Sequence, residues 1–169
     1  MALLLPKVKR FSIDIDIIVP PGEIDLADVF ASILKNSQFT RLEANERKAI
    51  SQIDKAHYKF YYQPVTTHLN QEEYILLDIL YEDNPYQALV ERKVENIFLE
   101  VEGASVQVHI PSVEDILGDK LAAFAPNTTG VPYEKRGKGQ EINIIKQLYD
   151  IGNLFNEAEN IATITQTYY

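Results

Sequence analysis

The sequence predicts an α+β domain, a mixed β-sheet flanked by helices with a short helical C-terminal portion. Two observations carry this. Segments alternating at the strand period come early and segments repeating at the helical period come late. In addition, 169 residues with 46% hydrophobic content suit one ordinary domain with its own core. There is no internal repeat or low-complexity segment.

Phe11 to Val19 alternates, with Phe11, Ile13, Ile15 and Ile17 on one side and Ser12, Asp14 and Asp16 on the other, the pattern of a strand with one buried face. Pro20-Pro21-Gly22 ends it. Leu26, Val29, Phe30, Ile33 and Leu34 then predict an amphipathic helix over about residues 25–36. Residues 39–55 are polar and give no clear element. His57–Tyr62 and Glu73–Tyr81 are rich in aromatic and branched residues and read as strands, joined by a polar loop. Ile97–Val101 and Val106–Ile110 flank Glu102-Gly103-Ala104-Ser105 and predict a hairpin.

Ser112 is placed to cap a helix running to about Phe124, with Glu114 and Asp115 as acids in its first turn. A loop broken by prolines and glycines follows from Ala125 to Gly139. A helix over Glu141–Phe155 carries Ile142, Ile145, Leu148 and Tyr149 on one stripe. The expected organisation is a core over 1–124, with a loop and helical portion over 125–169 packed on the same domain.

Asp and Glu outnumber Lys and Arg by 25 to 16, so the chain carries a formal charge of −9. Such a chain repels polyanions on average and needs a local basic patch to meet nucleic acid. The absence of cysteine excludes disulfides and thiolate metal sites and fits a reducing compartment. The apolar start Met1–Leu5 stops at Pro6 and runs into Lys7, Lys9 and Arg10, the reverse of a secretory signal, and no apolar run reaches the length of a membrane span. The expectation is a soluble cytoplasmic protein.

Asp14 and Asp16 are two residues apart on a strand, so both leave the same face. Asp is depleted in strands and two like charges side by side repel. A divalent cation turns that repulsion into attraction, and Mg²⁺ (or Mn²⁺) prefers carboxylate oxygen. A solvated strand face is the plainer meaning of an isolated Asp-x-Asp. Asp78 sharpens the pattern, because it sits in Tyr74-Ile75-Leu76-Leu77-Asp78-Ile79-Leu80-Tyr81 with apolar neighbours on both sides. A carboxylate in a central strand is costly unless a cation or donors meet it. Three acids from neighbouring strands suit one or two metal ions beside a triphosphate.

Other charged groups have ordinary readings too. Lys146 and Asp150 are four apart on one helix face, where a surface ion pair is a sufficient explanation. Arg10 and Ser12 either meet phosphate or flank the strand end. His57, His68 and His109 show no metal-ligand spacing, His57 and His109 reading as strand residues and His68 as a loop residue. Lys135-Arg136-Gly137-Lys138 is a dense basic cluster, fit for a triphosphate or an RNA, though most such runs are simply solvated.

Arg10-Phe11-Ser12-Ile13-Asp14-Ile15-Asp16 resembles the signature of the AbiEii/AbiGii toxin family of nucleotidyltransferases, within the DNA polymerase β-like nucleotidyltransferase superfamily. The likeness continues at Asp78, at the helix Val113–Phe124 with Lys120, and at Lys146-Gln147-Leu148-Tyr149-Asp150, in the family's order over residues 10 to 155. The resemblance implies a nucleotidyltransferase-like fold and transfer of a nucleotide from an NTP to an acceptor such as RNA. It also implies the toxin role in a toxin–antitoxin or phage-defence pair, with a cognate antitoxin as partner. It assigns Asp14, Asp16 and Asp78 to the metal, Lys120 to phosphate and Asp150 to the acceptor or to the role of base, with Arg10, Ser12 and Lys146 as further nucleotide contacts. Family members carry a glycine motif just before the Arg-x-Ser-x-Asp-x-Asp stretch, whereas here no glycine precedes Gly22, and they continue into a further helical portion. The first departure favours a catalytically inactive or truncated member acting by protein binding; the second favours association with another copy or a partner. A metal-dependent nuclease uses similar acids but wants a lysine closely spaced with an acid on a following strand, and Asp78 has none.

Overall fold

The computed structural model describes residues 1–168 apart from 8, 9, 11, 13, 23, 45–53, 67–70, 100 and 127. The expected strand residues Phe11 and Ile13 and the loop residue His68 lie outside the described residues. The chain gathers into two compact units, one formed by Met1–Phe11 with Pro85–Tyr169, the other by Ser12–Asn84.

The unit Ser12–Asn84 is a four-stranded mixed sheet with one helix. Its strands are β1 (Asp14–Val19), β2 (Phe39–Ala44), β3 (Lys55–Tyr62) and β4 (Glu73–Tyr81), in the spatial order β1-β4-β3-β2. β1 runs parallel to β4, and the other neighbours pair antiparallel. β4 is thus central, as its apolar run predicts. β2 falls in the segment that reads as featureless, because Phe39-Thr40-Arg41-Leu42-Glu43-Ala44 is an outer strand with only Phe39 and Leu42 partly buried. Helix α1 (Leu26–Asn36) starts where Asp25 Oδ1 accepts the Ala27 N–H at 2.9 Å, one residue later than the periodicity implies.

Because side chains alternate across a strand, one face of this sheet is apolar. Val19, Phe30, Phe60 and Ile79 form its buried centre, with Ile17, Tyr58 and Leu77 packed around it. Phe30 of α1 meets Tyr58 and Phe60 edge-on, at ring distances of 4.7 and 5.6 Å, a favoured aromatic geometry. Ile15, expected on this buried face, is 51% exposed, since the core begins only at Ile17. Ile79 is almost wholly enclosed. Ile79→Ala is expected to cost about 2–5 kcal/mol by leaving a cavity, read as a lower urea midpoint with an unchanged slope.

The other unit holds the hairpin β5 (Leu89–Lys93) and β6 (Gln107–Pro111), helix α2 (Val113–Phe124), the short hairpin β7 (Glu134–Lys135) and β8 (Lys138–Gly139), and helices α3 (Glu141–Phe155) and α4 (Ile161–Tyr168). The partner of β6 is Leu89–Lys93, not the expected Ile97–Val101. Asn96 explains the difference: its side chain accepts the Phe98 N–H at 2.8 Å and its carbonyl the Leu99 N–H at 3.1 Å, curling that stretch into a turn.

Helix α2 has the expected cap, Ser112 Oγ accepting the Asp115 N–H at 3.1 Å. Leu5, Leu117, Leu154 and Ile164 make the core of this unit. Helices α2 and α4 pack closely at Gly118, where a β-carbon would come within 2.8 Å of the Ile164 carbonyl oxygen. On α3 the stripe Ile142, Ile145, Leu148 and Tyr149 is exposed, and the packed side carries Ile151 and Leu154. Periodicity marks an apolar stripe but does not say which side of a helix meets its neighbours. Among the described residues, no helix is long and apolar enough to cross a membrane.

Candidate functional site

The register between β1 and β4 sets Asp14 beside Leu76 and Asp16 beside Asp78. Partners in a parallel pair share a face, and residues two apart on a strand do too. Asp14, Asp16 and Asp78 therefore share the sheet face opposite the α1 core. Neighbouring strands lie about 4.8 Å apart, so Asp16 and Asp78 are side by side. Asp14 and Asp16 are exposed, and Asp78 is half-buried.

His57 stands next to Asp78 on β3. Its ring Nδ1 lies 2.7 Å from Asp78 Oδ1, a hydrogen bond that the imidazole donates to the carboxylate. This is a functional candidate that sequence reasoning missed. The pairing spans 21 positions and depends on strand register, which the composition of neither strand reveals. Among the described residues, no three His, Asp or Glu side chains are drawn together into a ready-made metal cage. The chemistry of the face nonetheless suits a hard cation, with carboxylate oxygens on adjoining strands and one of them oriented by an N–H donor.

The remaining candidates, except Ser12, belong to the unit containing helices α2, α3 and α4. Arg10 binds Asp150 through both ends of its guanidinium, Nε to Oδ1 at 2.7 Å and Nη2 to Oδ2 at 2.6 Å. Lys120 Nζ lies 3.5 Å from the same Oδ2. Asp150 is buried, which by itself would raise its pKa; the Arg10 hydrogen bonds and the Lys120 charge prevail and hold the carboxyl below its usual range. So Asp150 pairs with Arg10 and Lys120, not with Lys146, which is exposed on the same helix. A base role for Asp150 would require it to leave this pairing. Ser12 is exposed and lies in the unit with the sheet.

A second buried carboxylate, Asp115, sits in the first turn of α2. It accepts the Gln87 and Ala88 backbone N–H groups at 2.9 and 3.0 Å and the Ser112 and Thr167 hydroxyls at 2.7 and 2.6 Å.

A family model described as the nucleotidyl transferase AbiEii toxin of type IV toxin–antitoxin systems matches residues 1–168. The chain belongs to this family. The match spans both compact units, and the mixed four-stranded sheet with helices agrees with the nucleotidyltransferase-like α+β architecture. No curated protein and no solved structure matches the chain. The family expected from the sequence is thus the one that the family model shows.

Proposed function

We propose that this AbiEii-family chain is a metal-dependent nucleotidyltransferase. It transfers a nucleotide from an NTP to an acceptor, RNA among them, as the cytoplasmic toxin of a toxin–antitoxin pair with a cognate antitoxin. One observation supports this above the rest: Asp14, Asp16 and Asp78 share a sheet face, with Asp16 and Asp78 in register. A polar strand face needs no acids in adjoining positions, and their repulsion is relieved by a cation.

Asp14, Asp16 and Asp78 would hold Mg²⁺ or Mn²⁺. When bound, that ion orients the triphosphate and offsets charge developing on the transferred group. His57 fixes the Asp78 carboxylate through its N–H, so that less ordering remains to be done on binding. Asp150 holds the ends of Arg10 and Lys120. The phosphate contacts assigned to Arg10, Ser12, Lys120 and Lys146 rest on family likeness.

Titration of the chain with Mn²⁺ and each NTP, followed by melting temperature, tests the binding step; incubation with labelled NTP and total RNA tests transfer. A well-folded chain that responds to neither leaves the other reading, a nucleotidyltransferase fold that acts by binding a protein. His57 gives a finer check. His57→Phe is expected to weaken Mn²⁺ binding about tenfold, the scale of lost outer-shell partners, whereas His57→Asn keeps an N–H donor and restores most of it. Equal losses in both variants would leave His57 a packing residue only.

A further inference from the structure

The basic cluster Lys135-Arg136-Gly137-Lys138 forms the tip of the hairpin β7–β8. Glu134 faces Gly139 and Lys135 faces Lys138, so only Arg136 and Gly137 remain to turn the chain. Both have positive φ, 55° and 73°, as a type I′ turn requires. That turn ordinarily takes Asn or Gly at its first position, and an arginine there bears the strain of its β-carbon. Lys135 and Lys138, meanwhile, are cross-strand partners of like charge, which disfavours the pairing. The chain thus carries three cations on one exposed tip in spite of two local costs. None of Lys135, Arg136 and Lys138 has an acidic partner among the described residues, in a chain whose net charge is −9. Tyr133, at the foot of the hairpin, is 63% exposed, and the Gln140 N–H closes the hairpin on its carbonyl at 2.9 Å.

Cations that bind successive phosphates beside an exposed aromatic ring are the chemistry of single-stranded nucleic acid recognition. A polyanion relieves the repulsion between Lys135 and Lys138, and the pre-formed turn leaves little ordering for binding to do. Three cations are fewer than the four to eight of polybasic lipid-binding segments. We infer that the hairpin tip, with Tyr133, is a contact site for a single-stranded polynucleotide: the phosphates lie on Lys135, Arg136 and Lys138, and a base stacks on Tyr133. Taken with the proposed transferase reading, on which this last step rests, that strand is the RNA acceptor.

The test is fluorescence anisotropy with a labelled single-stranded RNA of about 20 nucleotides at several salt concentrations. The variant Lys135→Gln, Arg136→Asn, Lys138→Gln keeps a residue suited to the left-handed turn and removes the charges. Three lost phosphate contacts are expected to flatten the slope of log affinity against log salt by about 2, at about 0.7 per contact. Tyr133→Leu is expected to weaken binding at least about fivefold and leave the slope unchanged. The double variant Lys135→Gln, Lys138→Gln provides the same reading with Arg136 in place, should the triple variant fold poorly. An unchanged slope, no RNA binding by the unaltered chain, or binding only to free NTP or to anionic vesicles overturns the inference. The Mn²⁺–NTP melting shift is measured in the same variants. Its retention with a flattened RNA slope supports both readings. Its absence even in the unaltered chain, with RNA binding intact, removes the transferase reading and leaves the polynucleotide contact standing.

Discussion

Replacing Asp14 and Asp16 together by asparagine is expected to abolish stabilisation by Mn²⁺ with an NTP and to lower nucleotide transfer at least about 10³-fold. Each asparagine keeps the size of the side chain and loses the charge that a hard cation needs. A ligand at a hundredfold its dissociation constant stabilises the folded state by about 2.7 kcal/mol, which for a chain of this size is a rise of roughly 5–10 °C. The variant should show none. A metal that supplies several kcal/mol to the transition state, at 1.36 kcal/mol per tenfold in rate, accounts for the loss of transfer. Without metal the outcome should reverse. Asp14 is exposed and lies two residues from Asp16 on one face, so in the metal-free chain Asp14→Asn alone relieves repulsion and leaves the melting temperature equal or slightly higher. That pairing of effects separates a metal site from a structural one. A variant that keeps the Mn²⁺–NTP shift would show that the cation binds elsewhere.

How far the sequence revealed this site follows from the reach of each signal. The alternation of β1 is a period-two pattern, so the shared face of Asp14 and Asp16 is legible at once. Asp78 stands out because a charged residue inside an apolar run demands a partner. His57 does not stand out, since its role depends on a register that brings together residues far apart in sequence. The same limit explains β2, an outer strand with few buried side chains, and the exposed stripe of α3, whose inward side is chosen by α2 and α4. The hairpin β7–β8 is hidden for another reason: Arg136 is not a residue that announces a left-handed turn, though Gly137 beside it is. Helix α4, only eight residues long, has too weak a pattern to be read alone. The Arg10–Asp150 pair joins positions 140 apart, beyond any local reading.

Asp115 is the other position where one substitution should have a large effect. The sequence presents it as a first-turn acid of α2, worth a fraction of a kcal/mol against the helix dipole. In the fold it is fully enclosed, and four donors converge on its two oxygens: the backbone at Gln87 and Ala88, which leads into β5, the Ser112 cap, and Thr167 of α4. Burial alone would raise its pKa, but the Thr167, Gln87, Ser112 and Ala88 donors outweigh it and hold the carboxyl below its usual range. Asp115→Asn keeps one accepting oxygen and turns an NH₂ group toward groups that themselves donate. Asp115→Ala leaves all four without a partner. Losing the charged acceptor from a buried set is expected to cost about 3–5 kcal/mol, a large share of what a domain of this size has, and Asp115→Ala should be the worse of the two. The pH dependence has a definite sign. A carboxyl whose pKa is lower folded than unfolded binds more protons in the unfolded chain, so its contribution is complete above the unfolded value of about 3.9 and is lost as pH falls through the folded one. Asp150 acts in the same direction. Urea unfolding from pH 7 down to pH 3 should therefore show the native chain losing stability more steeply on the acid side than Asp115→Asn. Parallel curves would mean that the four hydrogen bonds do not favour the charged form, and that α4 is held by its contacts at Leu117 and Gly118 instead.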